Sequence, residues 1–347
     1  GKSHVCAVQS GNDSFKNGLL CWGDNSKGQL GVGTYLSTTG DATSLLGYEV
    51  EIPSTYPGYS TMFFTAVSAG EQHTCAITNT GDVFCWGDGA SGQLGNGDYV
   101  DSDEPFLVPL PSSLKAVSIA ASKEGSCAVM NDASVYCWGS TTSNGQVASA
   151  NAAPFTPNLI PNFEALRVVG SWASEDFCAI HADFSFSCWG ANTGGKFNSD
   201  ALAKETPVLM EAGLEIADLS IGYDFMCYTE KLPNSKWETV CQGDGQYGQL
   251  GSEDRPTTWS SVTHDTAASD PAEPARIYSG FMDSCVTNHP EEGMMDQHDA
   301  VCWGPNPVKN HGHSESTDGR DVSTGTEAKS IYHASSEWDV QNGITTI

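Results

Sequence analysis

A short apolar run that ends in a Trp-Gly step recurs along the chain. Leu19-Leu20-Cys21-Trp22, Val83-Phe84-Cys85-Trp86, Val135-Tyr136-Cys137-Trp138, Phe186-Ser187-Cys188-Trp189 and Ala300-Val301-Cys302-Trp303 are each followed by glycine. These runs lack the strict alternation of a strand with one wet face, and read instead as strands buried on both faces. The unit is clearest over residues 73–98, HTCAITNTGDVFCWGDGASGQLGNGD. About Thr80 the sequence folds back on itself: Cys75 faces Cys85, Ala76 faces Phe84 and Ile77 faces Val83. That symmetry predicts an antiparallel hairpin with a three-residue loop, Asn79-Thr80-Gly81, and a left-handed glycine at its end. Units of this kind recurring at roughly 50 residues match the blade length of a propeller, in which short sheets stack face to face around an axis.

The cysteines mark the same units. All 12 fall into six pairs, Cys6/Cys21, Cys75/Cys85, Cys127/Cys137, Cys178/Cys188, Cys227/Cys241 and Cys285/Cys302. Residues opposed in an antiparallel ladder lie within disulfide reach, so each pair is expected to staple one hairpin, for about 2–3 kcal/mol in the chain-entropy model. An even count in local pairs points to an oxidising compartment: extracellular, cell surface or secretory lumen. The short CxxC spacings of a zinc site are absent.

Six cysteine hairpins are explicit, and a seventh without cysteines is read at the C-terminus. Glu337 and Ile347 repeat the hairpin spacing, Gly343 falls where a loop glycine is needed, and Lys329-Ser330-Ile331 echoes Leu219-Ser220-Ile221. The expected fold is all-β, a seven-bladed β-propeller of six disulfide-stapled repeats plus one degenerate repeat, with six blades as the alternative. A single propeller domain over residues 1–347 is expected. Its first and last repeats look trimmed, as if cut from a longer chain.

The unit at 73–98 resembles the repeat of the regulator of chromosome condensation family, with its HSxAL-type strand, hairpin, WG step and GQLG turn. The match is good over 71–98 and 4–33 and weaker over 126–146 and 177–190, where GQLG is lost. It returns at Gln249-Leu250-Gly251, although Gln242 there replaces the tryptophan. The resemblance implies a propeller fold, and the cysteine-flanked version is similar to secreted or surface members. It carries little about activity, since propellers host many functions.

Charge narrows the partners. The chain has 43 acidic and 15 basic residues, a formal charge of −28, although charged residues are only 17% of it. The imbalance reflects missing Lys and Arg, and it removes the basic footprint that nucleic acid requires. No run reaches the roughly 18 apolar residues of a spanning helix, so membrane insertion is not expected. The GxSxG, HExxH, P-loop and dinucleotide motifs are absent, and no catalytic residue or organic cofactor is assigned.

The remaining candidates are few. The repeat tryptophans Trp22, Trp86, Trp138, Trp189 and Trp303 are read as packing between blades, and His4 and His73 as structural hydrogen-bonding residues within their blades. Asp98, Asp101, Asp103 and Glu104 form the best calcium candidate, followed by Glu291, Glu292, Asp296 and Asp299; solvated acidic loops are the plainer reading. Asn12-Asp13-Ser14 is an N-glycosylation sequon. The enlarged connection carrying Tyr35, Tyr48, Tyr56 and Tyr59 is the candidate partner-contact surface. The function expected is a secreted or lumenal interaction or structural propeller, a component of an extracellular or cell-surface assembly with other proteins as partners. A proteinaceous inhibitor capping a partner enzyme and a carbohydrate-binding propeller are the alternatives.

Overall fold

The hairpin register of the repeat is the unit from which the fold is built. Cys75 pairs with Cys85, Ala76 with Phe84 and Ile77 with Val83. Thr78 then closes on Asp82, leaving Asn79-Thr80-Gly81 as the loop. Gly81 has φ +78°, a conformation that side chains rarely adopt. The computed structural model describes residues 1–9, 18–34, 47–140, 153–197, 202–211, 215–233, 237–251, 260–264, 276–287, 300–304 and 329–331.

Among the described residues the strands form six sheets. Blade one holds β1 (His4–Gln9), β2 (Gly18–Gly23) and β3 (Tyr48–Glu49). Blade two holds β4 (Phe64–Ala69), β5 (His73–Thr78), β6 (Val83–Gly87) and β7 (Ser102–Leu107). Blade three holds β8 (Ala116–Ala121), β9 (Gly125–Met130), β10 (Ser134–Gly139) and β11 (Asn158–Glu164). Blade four holds β12 (Arg167–Gly170), β13 (Asp176–Ile180), β14 (Phe186–Gly190) and β15 (Lys204–Glu211). Blade five holds β16 (Ile216–Ile221), β17 (Phe225–Lys231), β18 (Trp237–Gly243) and β19 (Ser260–His264). Blade six holds β20 (Arg276–Ser279), β21 (Ser284–Thr287), β22 (Ala300–Trp303) and β23 (Lys329–Ile331). Each sheet is a simple antiparallel meander in sequence order. The architecture is a β-propeller.

In blades two to four the second and third strands have no exposed position, and β5, β6, β9, β13 and β14 are buried end to end. This is the burial on both faces that their unbroken apolar texture implies. The core lies between sheets. Leu19, Cys21 and Leu30 of blade one pack on Phe64, Phe84 and Trp86 of blade two. Val129 and Val135 of blade three meet Phe177 and Trp189 of blade four in the same manner. Disulfides join Cys6–Cys21, Cys75–Cys85, Cys127–Cys137, Cys178–Cys188 and Cys227–Cys241, and Cys285 lies opposite Cys302 in the ladder.

One difference from the sequence expectation concerns the C-terminal end. Lys329–Ile331 does not open a seventh unit; it pairs with Ala300–Cys302 as the outer strand of blade six. The outer edge of β22 would otherwise present unpaired backbone groups, which a fourth strand satisfies as in the preceding blades. The seventh repeat read at Glu337–Ile347 lies outside the described residues. Among the described residues blade one has three strands, and β1 itself borders the central channel.

Candidate functional site

The blades are joined by a repeated polar device. Gln29, in the GQLG turn of blade one, offers its carbonyl oxygen to blade two. Trp86 Nε1 donates to it at 3.0 Å and Thr74 Oγ1 at 2.9 Å. His4 Nε2 lies 2.9 Å from the same Thr74 hydroxyl. One blade further on, Trp138 Nε1 and Ser126 Oγ donate to the Gln93 carbonyl, and His73 Nε2 meets Ser126 Oγ at 3.0 Å. Because each hydroxyl spends its proton on a carbonyl, the histidine must donate through Nε2, leaving Nδ1 unprotonated. That nitrogen is buried without a partner in both residues. Burial is the main cause that lowers both histidines from 6.5 to about 3. The final glycine of the GQLG turn makes room for the indole, since a Cβ on Gly31 would come within 2.7 Å of Trp86 Nε1. His4 and His73 therefore act between blades rather than within them: their hydroxyl partners lie on the next repeat, beyond the reach of local reading.

Blades four and five keep the joint with different chemistry. Lys196 stands at the GQLG glutamine position and Asp176 at the histidine position. Both are fully buried and ion-paired. The Lys196 ammonium also donates to the Tyr223 carbonyl at 2.6 Å and the Gly222 carbonyl at 3.3 Å. Gln242, in place of tryptophan, donates to the Lys196 carbonyl at 2.8 Å.

The innermost strands β4, β8, β12, β16 and β20, together with Val5 and Cys6, surround a central channel of about 630 Å³. Asp218 spans three blades there. It accepts from Arg167 Nη1 at 2.7 Å and from the Ile277 backbone at 3.0 Å. Ser68, Ser118 and Ser220 each accept a backbone N–H from the next inner strand.

One mouth of the channel is ringed by the segment before β1 and by the turns that connect the first two strands of blades two to six. Backbone hydrogen bonds run around this rim from Lys2 to Glu71, Glu71 to Lys123 and Lys123 to Ser174, and again from Tyr223 to Phe281. The rim is divided by chemistry. On blades one to four it carries the ion pairs Lys2–Glu71 at 2.6 Å and Lys123–Glu175 at 3.7 Å. On blades four to six it carries an aromatic ladder: Phe281 stacks on Tyr223 at 4.8 Å and on Trp172 at 6.1 Å between centroids. Tyr223 is 37% exposed and Phe281 41%. Burial raises the carboxyl groups of Glu175 and Asp224 beside this ladder above the usual carboxylate range.

The residues singled out from sequence fall elsewhere. Trp86, Trp138 and Trp189 are fully buried between blades, whereas Trp22 is 37% exposed. Trp303 belongs to β22. Tyr56 is taken into the packing of blades one and two, edge-on to Phe84 at 5.1 Å, and its hydroxyl accepts from the Leu107 backbone. Tyr48 is half-buried beside Cys21, and Tyr59 remains exposed. Asp98, Asp101, Asp103 and Glu104 are not gathered into a ligand set. Asp98 caps the Val100 N–H, while Asp101 takes the Gly89 N–H and Lys27. Among the described residues no group of three or more His, Cys, Asp and Glu is placed to hold a metal. Asn12, Tyr35, Glu291, Glu292, Asp296 and Asp299 lie outside the described residues. The aromatic ladder was missed. Its signal was available as large apolar residues in the inter-strand turns, where the earlier blades carry Lys or Glu.

Family models of the regulator of chromosome condensation (RCC1) repeat match residues 16–77, 80–129 and 64–93. The Arabidopsis thaliana ultraviolet-B receptor UVR8 is 27% identical over 262 residues, 72% of this chain and 53% of that relative. The probable E3 ubiquitin-protein ligase HERC6 of Homo sapiens is 27% identical over 243 residues, 67% of this chain and 22% of that relative. The chain thus spans less than two thirds of either relative. The crystal structure of Kap60 bound to yeast RCC1 (Prp20) matches with a TM-score of 0.70 at 16% identity, covering 95% of this chain and 73% of that chain. That of human WBSCR16 gives 0.64 at 16% identity, covering 81% and 68%.

Proposed function

From a chain that belongs to the regulator of chromosome condensation repeat family, we propose a protein-interaction propeller that works in an oxidising compartment. Within that reading residues 1–347 form one propeller domain, part of an extracellular, cell-surface or secretory-lumen assembly. The observation that carries the reading is the set of disulfides. Each of the first five blades is closed by one across its central hairpin. Reducing compartments do not sustain such bonds, and chains that keep them are typically secreted or lumenal. Binding, rather than chemistry, is supported by the related fold of yeast RCC1 in its complex with Kap60. It is also supported by the preformed loop face around the channel.

Cross-linking in the native source, followed by non-reducing peptide mapping of the purified chain, tests both parts. Expected are cross-links from the turns at the channel mouth to another protein, and cysteines paired within each repeat. Free thiols in the protein as isolated would return it to a reducing compartment. Cross-links confined to the chain itself would remove the interaction role.

A further inference from the structure

Trp172, Tyr223 and Phe281 come from the inter-strand turns of blades four, five and six, and the side-by-side packing of these blades brings them into one ladder. The ladder is held before any partner arrives. Lys196 fixes the Tyr223 carbonyl from beneath, and the Tyr223 N–H is bonded to the Phe281 carbonyl at 3.1 Å. Gly222 and Gly280 close their turns on Phe225 and Asp283. Little ordering remains to be done on binding, which favours affinity. Tyr223 and Phe281 are exposed side by side with Trp172 half-buried against them, and adjoining exposed aromatics mark a contact site.

Charge selects the occupant. The three turns read SWASED, GYDF and GFMD and hold no Lys or Arg. Asp176 is neutralised in the core by Lys196 and Glu175 faces Lys123, which leaves Asp224 and Asp283 as acids to which the turns themselves supply no Lys or Arg. The neighbouring lysines of the rim are engaged, Lys2 with Glu71 and Lys123 with Glu175, while Lys196 is fully buried. An acidic segment, or a second copy of a chain with formal charge −28, meets repulsion here. A guanidinium fits all the features at once. Its planar cation stacks on aromatic faces, its stem covers apolar surface, and its charge answers the carboxylates. We infer that the ladder is the docking site for an arginine-bearing segment of a partner protein. This deepens the interaction role proposed above and rests on it.

The test titrates the full, disulfide-intact chain with acetylated hexa-arginine, hexa-lysine, hexa-glutamate and an N-acetylglucosamine tetrasaccharide, using calorimetry and hydroxyl-radical footprinting. Expected are tightest binding by hexa-arginine, protection of Trp172 and Tyr223 in the unaltered protein, and a loss of about tenfold in Phe281→Ala or Tyr223→Ala. Footprinting of the unaltered chain keeps the test valid if a variant fails to fold. Equal affinity for hexa-arginine and hexa-lysine, or protection spread over the acidic surface and not the ladder, would reduce the effect to net charge and overturn the inference. Tetrasaccharide protection of the ladder without hexa-arginine binding would replace it with a glycan site. Silence toward hexa-arginine alongside protein cross-links in the native source would sink this inference and leave the interaction role standing.

Discussion

Gln242 donates through Nε2 to the Lys196 carbonyl at 2.8 Å, filling with an amide the joint that Trp86 and Trp138 fill with indole N–H groups. What the blades share at this point is a donor rather than a ring. Gln242→Leu keeps most of the volume and removes the donor, so the Lys196 carbonyl loses this bond. A loss of about 1–3 kcal/mol in denaturant unfolding is expected. An unchanged midpoint would mean that the carbonyl finds another donor.

Lys196 and Asp176 form a fully buried pair. Removing one partner strands the other charge, so Lys196→Met is expected to cost about 3–5 kcal/mol. The double variant Lys196→Gln with Asp176→His recreates the residue types of blade two. It should be more stable than the sum of the single changes by over about 1 kcal/mol in a double-mutant cycle.

His73 is held near 3 by burial, against 6.5 when unfolded, and His4 behaves alike. Their folded forms are neutral, so the stability they contribute is complete above pH 6.5 and is lost as pH falls toward 3. Each should add a slope of about 1.4 kcal/mol per pH unit across that window. His73→Gln should flatten the acid limb of stability against pH by one histidine's share, as read by thermal melts from pH 7 to 4.

The Cys75–Cys85 bond closes a hairpin with a sequence separation of 10. Cys75→Ala with Cys85→Ala is expected to lower stability by about 2–3 kcal/mol while leaving the strand register intact. Amide exchange across β5 and β6 checks both halves of that statement.

The hairpins were legible because everything that sets their register is local. Opposed cysteines, flanking apolar residues and a glycine at the turn all lie within one stretch of residues 73–87. The partners of His4 and His73 were not, because the bonds are supplied by Thr74, 70 positions from His4, and by Ser126, 53 positions from His73. Sequence placed these histidines correctly in the repeat and wrongly in the blade. The Lys196–Asp176 pair was visible only as a loss of the GQLG pattern; its meaning required seeing that both replacements fall on one joint. The ladder of Trp172, Tyr223 and Phe281 escaped because Trp172 sits in a longer turn than its counterparts, which disguises the shared position. The tyrosines of the long connection attracted notice by density, yet Tyr56 had been drawn into packing against Phe84.

Every described disulfide ties two strands of one blade, whereas the joints between blades are hydrogen bonds and packed rings. Under tension the two classes of contact yield in a set order. Pulled apart, neighbouring blades part first, and each oxidised hairpin then withholds the chain between its cysteines from extension. A stretched molecule would lengthen in steps, each shorter than the blade it frees, and reduction would lengthen every step.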